Sequence, residues 1–341
     1  MNSLTLFIPG LLHPARDISE EDVPEVPSLE KLLACATREQ LVPFGVSDAL
    51  AMLFKLKEQP GKDFPIGAIT HLVDDNQSTE GIWMRADPVH LAADHRSLIL
   101  MDESTFTLDR HDALVLAASV KDILATRGMR LEVPMVNRWY VNLDNLPPVT
   151  TTPLHEAAGR DIHSCMPAGA GQLEWAQLLN EIQMALHACE VNTAREQRRE
   201  KPVNSLWLWG AGSLPEMAAC PWSRVYTDEE IARGFALLAK IPCAELPDNV
   251  EDIFDTSAID EDVLVVISFG LRHSQYHDLQ GWLDFVDYLE HFWFADMPSS
   301  LREGELAELV ILTEHQQFTI KRPSLRKFWR RKRTLRSYLD H

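Results

Sequence analysis

Four residues apart in SFGLRHSQYHD, His273 and His277 would share one face of a helix, the spacing at which imidazole pairs often hold a metal ion. Glu314-His315, in LVILTEH, adds a carboxylate and a third imidazole that would complete a single-cation site. The same histidines also read as solvated or hydrogen-bonded side chains. Ser47-Asp48 opens the helical pattern SDALAMLFKL. The free N–H groups and dipole of a helix start favour an anion beside Ser47, and the same serine also reads simply as an N-cap. Arg85, Arg138, Arg160 and Arg195 offer guanidinium forks suited to phosphate or carboxylate, and each can instead pair with a neighbouring acid.

The elements that must position these groups are legible as apolar runs. Leu4–Ile8, Ile66–Val73, Gly81–Met84, Arg138–Leu143, Val263–Ser268 and Leu309–Thr313 read as strands. Ser205–Trp209, within PVNSLWLWGAG, is a strand that runs into a tight turn at Gly210 and Gly212. Alternation places Trp207 and Trp209 on one face, packed in a core or stacked on a ligand. Helical patterns follow Ser28 and Ser47 and cover Asp109–Arg127, Glu174–His187 and Trp282–Phe294, with another capped at Thr227. Strands apolar along their whole length, alternating with helices, predict an α/β fold with a largely parallel sheet.

A net charge of −19 argues against nucleic acid as a partner of the whole surface. The exception is the basic C-terminal KRPSLRKFWRRKRTLR, which could dock on a protein partner, RNA or an anionic membrane, or lie against the acidic body. Five scattered cysteines without a CxxC pair argue against a zinc knuckle and a disulfide framework, which suits a cytoplasmic location. The first apolar run reads as a buried strand rather than a signal peptide, and no run has the length of a membrane span.

The order of motifs resembles the cofactor-independent phosphoglycerate mutases of the archaeal type, in the alkaline-phosphatase superfamily. WMRADPVHLAAD, RWYVNLDNLPPVTTTPLHEAAGR, CEVNTARE and PVNSLWLWGAG carry the likeness in colinear order. The chain is also similar to bacterial proteins grouped as phosphoglycerate-mutase-like or as pathogenicity-cluster regulators. The resemblance implies a three-layer α/β/α alkaline-phosphatase-like core, 1–79 with 201–320, and a smaller inserted α+β domain, 80–200, ahead of a basic tail, 321–341. In it, PVNSLWLWGAG is the strand returning from the insertion to the core. It further implies substrate contacts at Arg85, Arg138, Arg160, Arg195 and Asn204, a nucleophile at Ser47, and metal ligands among His273, His277, Asp278, Glu314 and His315.

That family uses two cations, about 4 Å apart in such sites, to activate a nucleophile and clamp the transferring phosphoryl group. Here the first strand ends Ile8-Pro9-Gly10, with Pro9 where an aspartate ligand belongs. Ser268 stands for the first histidine and His273 for an aspartate, while Glu314-His315 replaces Asp-His. The expectation is a degenerate dimetal site with no cofactor, and a regulatory protein that binds a small phosphorylated or carboxylated metabolite. The alternatives are an active phosphomutase or phosphatase using Ser47 with a reduced Mn or Zn site, and a protein-interaction role for the tail.

Overall fold

The apolar runs assemble into two sheets, each in its own compact unit: Met1–Ala49 with Ala219–His341, and Leu50–Ala218. The computed structural model describes residues 1–14, 18, 22–42, 44–57, 62–75, 80–94, 97–256, 260–326 and 333–339. Residues 327–332 of the basic tail that sequence singles out lie outside these residues. In chain order the strands are β1 (Ser3–Phe7), β2 (Thr37–Gln40), β3 (Ile82–Asp94), β4 (Ser97–Met101), β5 (Met129–Glu132) and β6 (Tyr140–Leu143). They continue with β7 (Ser205–Gly212), β8 (Arg224–Thr227), β9 (Cys243–Ala244), β10 (Asp262–Val266), β11 (Glu308–Leu312) and β12 (Gln316–Lys321).

The first unit's sheet has the order β2-β12-β11-β1-β10-β8-β9. Strands β11, β1, β10, β8 and β9 are parallel, and β12 and β2 close one side antiparallel. Leu4, Leu6, Val263, Val265, Leu309 and Ile311 join one core with Trp282, Phe285 and Val286 of the helix Leu279–Leu289. Phe7, Leu264 and Val266 point to the opposite face and are equally buried, which is why these strands read as unbroken apolar runs. Phe7 pairs with both Val266 and Leu312, so three parallel strands end level with one another. The loops at that carboxyl edge are where open α/β sheets place their ligands.

Two helix starts differ from the sequence expectation. Pro27 opens the helix Pro27–Cys35, and the Glu290 carboxylate, not Ser28, accepts the Ser28 and Leu29 N–H groups at 2.7 and 2.9 Å. Thr227 ends β8, and Glu229 caps the helix Glu230–Leu238 through the Ala232 N–H.

In the second unit every strand pairing is antiparallel. The long β3 pairs through its first residues with β6 and β7, and through its last five with β4. Leu206, Leu208, Met84 and Val141 pack against Leu116, Val120, Trp175 and Ile182 from the helices Arg110–Ala125 and Gln172–His187. PVNSLWLWGAG therefore supplies β7, a partner of β3 inside this unit, with Trp209 opposite Arg85. Sequence puts the division at residues 80 and 200; the compact units divide at 50 and 218, since β7 and the chain before β3 pack on the β3 sheet.

Ile66–Asp75 is a helix, although sequence reads Ile66–Val73 as a strand. Its β-branched residues favour either state in so short a run. The helix is fixed by the Ile69 N–H bonding the Pro65 carbonyl and by Thr70 Oγ1 donating to the Ile66 carbonyl. It also needs Gly67, where a Cβ would lie 2.5 Å from the Met84 Cα. Gly210 at the end of the β7 apolar run has φ +68 and a Cβ position 3.1 Å from the Ile66 Cβ, so the turn requires glycine on both counts.

Candidate functional site

The carboxyl edge of the first unit's parallel strands gathers most of the residues that sequence nominates. After β1, Gly10 adopts φ +82 and its N–H donates to Glu314 Oε1 at 2.7 Å, while its carbonyl accepts from Trp282 Nε1 at 2.9 Å. Pro9 beside it has no donor atom to offer a cation. After β11, the carbonyls of Glu314 and His315 accept from the Phe44 and Leu41 N–H groups at 3.3 and 2.8 Å. These bonds bring the segment ahead of the helix Val46–Leu53 to the same edge, with Ser47 buried in that helix's first turn.

Beyond β10 the chain departs from the expected pattern. His273 belongs to a short helix, Leu271–Gln275, that stops before His277, whose φ of +56 is left-handed. The two histidines therefore share no helix face. His273 Nδ1 lies 2.8 Å from Asp278 Oδ2, and Asp278 also caps the helix Leu279–Leu289 through the Gly281 N–H. That N–H and His273 hold the Asp278 carboxyl below its usual range. Among the described residues, His273, His277, Asp278, Glu314 and His315 supply no group of three donors at metal-ligand spacing.

Two acids at this edge escaped sequence reasoning. Asp228, just past β8, accepts the Ser268 and Phe269 N–H groups at 2.9 and 2.8 Å. Burial raises its carboxyl pKa, against the pull of those two N–H groups. Glu229 is held further above the ordinary carboxylate range, by burial first and then by the charge of Glu230. In sequence both look like ordinary first-turn acids of a helix.

In the second unit the nominated arginines are engaged by the protein itself. Arg85 bonds Asp87 at 2.8–2.9 Å and lies over the Tyr140 and Trp209 rings at 5.6 and 5.3 Å. Asp87 in turn accepts from Trp209 Nε1 at 2.6 Å. Arg138 grips Asp74 through two bonds of 2.6 and 2.8 Å, and the Tyr140 hydroxyl donates to the same carboxylate. Burial drives the Tyr140 hydroxyl far above its ordinary pKa, so it stays a donor. Arg195 is buried on the carbonyls of Lys201 and Thr107. Asn204 pairs with the Leu91 backbone. Arg160 is exposed, its side chain near the Glu156 carbonyl. The structure brings the buried Arg85 and the partly buried Arg138 around Tyr140 and Asp74 and leaves Arg160, Arg195 and Asn204 elsewhere on the unit.

The same unit has a cleft of about 880 Å³ lined by Lys57, Lys62, Asp63, Thr150, Gly212 and Glu216 among others. Asp63 on its wall accepts both the N–H and the hydroxyl of Thr151, and Thr151 Oγ1 accepts the Gly210 N–H at 3.1 Å. Burial pushes the Asp63 carboxyl up in spite of those bonds. The glycine turn of PVNSLWLWGAG thus forms one side of a cleft whose exposed cations are Lys57 and Lys62.

No helix among the described residues is long and apolar enough to cross a membrane, and all five cysteines are free. No family model matches the chain. It is 26% identical over 136 residues to a probable 2,3-bisphosphoglycerate-independent phosphoglycerate mutase of Geobacter sulfurreducens, covering 40% of this chain and 34% of that one. It is 32% identical over 84 residues to the 2,3-bisphosphoglycerate-independent phosphoglycerate mutase of Methanosarcina barkeri, covering 24% and 21%. These matches span about a third of the relatives' length or less. The PH0037 protein of Pyrococcus horikoshii has a similar fold, with a TM-score of 0.51 at 12% identity over 94% of this chain and 87% of that one. Over part of its length the chain is similar to phosphoglycerate mutases, and its mixed α/β fold with a largely parallel sheet in the first unit is the class that sequence predicts.

Proposed function

We propose that this phosphoglycerate-mutase-like chain binds a small phosphorylated or carboxylated metabolite without efficient phosphoryl transfer, in a sensing or regulatory role. The reading rests on the end of β1. There Pro9 stands where a carboxylate is needed, and the adjacent Gly10 N–H occupies an oxygen of Glu314. A two-cation phosphoryl transfer needs carboxylates and imidazoles free to converge. Glu314 Oε1 is taken by the Gly10 N–H and the His273 ring by Asp278, and Pro9 supplies no donor, an arrangement that does not favour a cation pair. The cleft of the second unit, with Lys57 and Lys62 exposed along it, is the favoured place for an anionic ligand.

Thermal unfolding of the full chain with 2- or 3-phosphoglycerate tests binding. A ligand at a hundred times its Kd stabilises the folded state by about 2.7 kcal/mol. The midpoint should rise for the natural sequence and stay unchanged for the Lys57→Ala, Lys62→Ala double variant. No rise at millimolar ligand, or an equal rise in both proteins, contradicts the reading.

One observation favours a second reading, an active phosphomutase or phosphatase. Ser47 sits at a helix start whose preceding segment is tied to Glu314 and His315, an arrangement suited to a phosphorylated nucleophile. A divalent Mn or Zn ion would have to supply the Lewis acidity there.

A further inference from the structure

We propose that His71, Asp75 and Glu132 form a binding site for one divalent transition-metal ion, in the second unit and separate from every residue that the family resemblance implicates. His71 and Asp75 lie one turn apart on the helix Ile66–Asp75, and Glu132 ends β5. One donor atom from each lies within 4.8 Å of the others. His71 Nε2 and Glu132 Oε2 are 3.2 Å apart. Two ligands about 2.0–2.2 Å from a tetrahedral cation are themselves roughly 3.4 Å apart, so this pair already has ligand spacing.

The imidazole is held rigidly. His71 is 1% exposed, stacked on Trp83 with centroids 3.7 Å apart, and met edge-on by Tyr140 at 4.9 Å. Its Nδ1 is buried without a hydrogen-bond partner among the described residues, so the protein uses only part of the ring's polar capacity. Such preorganisation is what separates a metal site from a chance cluster.

Charge supplies the second argument. Asp74 is neutralised by Arg138 and bonded by Tyr140. Asp75, its neighbour, and Glu132 make no ion pair with lysine or arginine among the described residues. Two carboxylates thus face one imidazole with no lysine or arginine paired to them among the described residues, a donor set suited to Zn²⁺ or Co²⁺. Glu132 is 47% exposed at its side chain, which leaves an open side where water or an anionic ligand completes the coordination.

The test titrates chelator-stripped full chain with Zn²⁺ by calorimetry and with Co²⁺ by visible absorption. His71→Ala removes a ring packed between two aromatics and can unfold the chain, so Asp75→Asn and Glu132→Gln are the informative variants. One equivalent should bind, with the intense visible bands of low-coordinate Co²⁺. Each variant should bind at least about tenfold more weakly, with its circular dichroism unchanged. His315→Ala should bind as the natural sequence does. No binding at millimolar metal, binding unaffected by both variants, or binding lost in His315→Ala overturns the assignment.

Discussion

The two sheets handle their acidic groups differently. At the carboxyl edge of the first unit, Glu314, Asp228 and Glu229 are matched to backbone N–H groups. In the buried layer of the second unit, Asp87 and Asp74 are matched to the guanidinium groups of Arg85 and Arg138. A carboxylate satisfied by amides can keep a raised proton affinity when it is buried, as Asp228 and Glu229 do. A carboxylate satisfied by arginine stays charged but removes that arginine from ligand binding. The second solution engages Arg85 and Arg138, two of the groups that sequence nominates for ligand binding. His71 differs from both, since its two acids, Asp75 and Glu132, make no ion pair with lysine or arginine among the described residues.

That contrast fails most visibly if Arg85 proves to be a ligand contact. Arg85→Met leaves Asp87 buried with its charge uncompensated, and the urea midpoint should fall by the equivalent of about 3–5 kcal/mol. A stable variant that lost only its response to phosphoglycerate would move Arg85 from scaffold to site. Next in size is Gly67→Ala, whose Cβ meets the Met84 backbone at 2.5 Å. Overpacking of this kind costs about 1–3 kcal/mol, read by the same denaturation.

A smaller effect belongs to Glu229. The folded chain keeps this proton to higher pH than the unfolded chain, so stability falls as pH rises from the ordinary glutamate range towards the raised folded value, and stays lower above it. Glu229→Gln should flatten that decline in denaturation midpoints measured from about pH 4 to pH 8. An unchanged slope would mean that the burial of Glu229 carries no proton linkage. Smallest is the Lys57→Ala, Lys62→Ala double variant, whose stability should stay within about 0.5 kcal/mol because both residues are exposed. A larger loss would make the cleft a structural seam.

Sequence shows the parallel strands clearly because each is apolar on both faces, as Val263–Ile267 illustrates. It places Ser47 at a helix start and Trp207 and Trp209 on one buried face, both of which the structure has. The His71 site is invisible while Ile66–Val73 is taken as a strand. In a strand, residues 71 and 75 would lie about 13 Å apart, and in a helix about 6 Å along the axis. Asp228 stays hidden for another reason, since its partners Ser268 and Phe269 are 40 and 41 residues away. The partner of β7 is likewise set by tertiary pairing, which local apolar patterning does not encode.

The proposal that phosphoryl transfer is lost from the sheet edge is tested most directly by a phosphoglycerate mutase assay with added Mn²⁺, comparing the natural sequence with Ser47→Ala. The account predicts the same background conversion in both proteins at every metal concentration. Conversion that rises with Mn²⁺ and disappears in Ser47→Ala would contradict it.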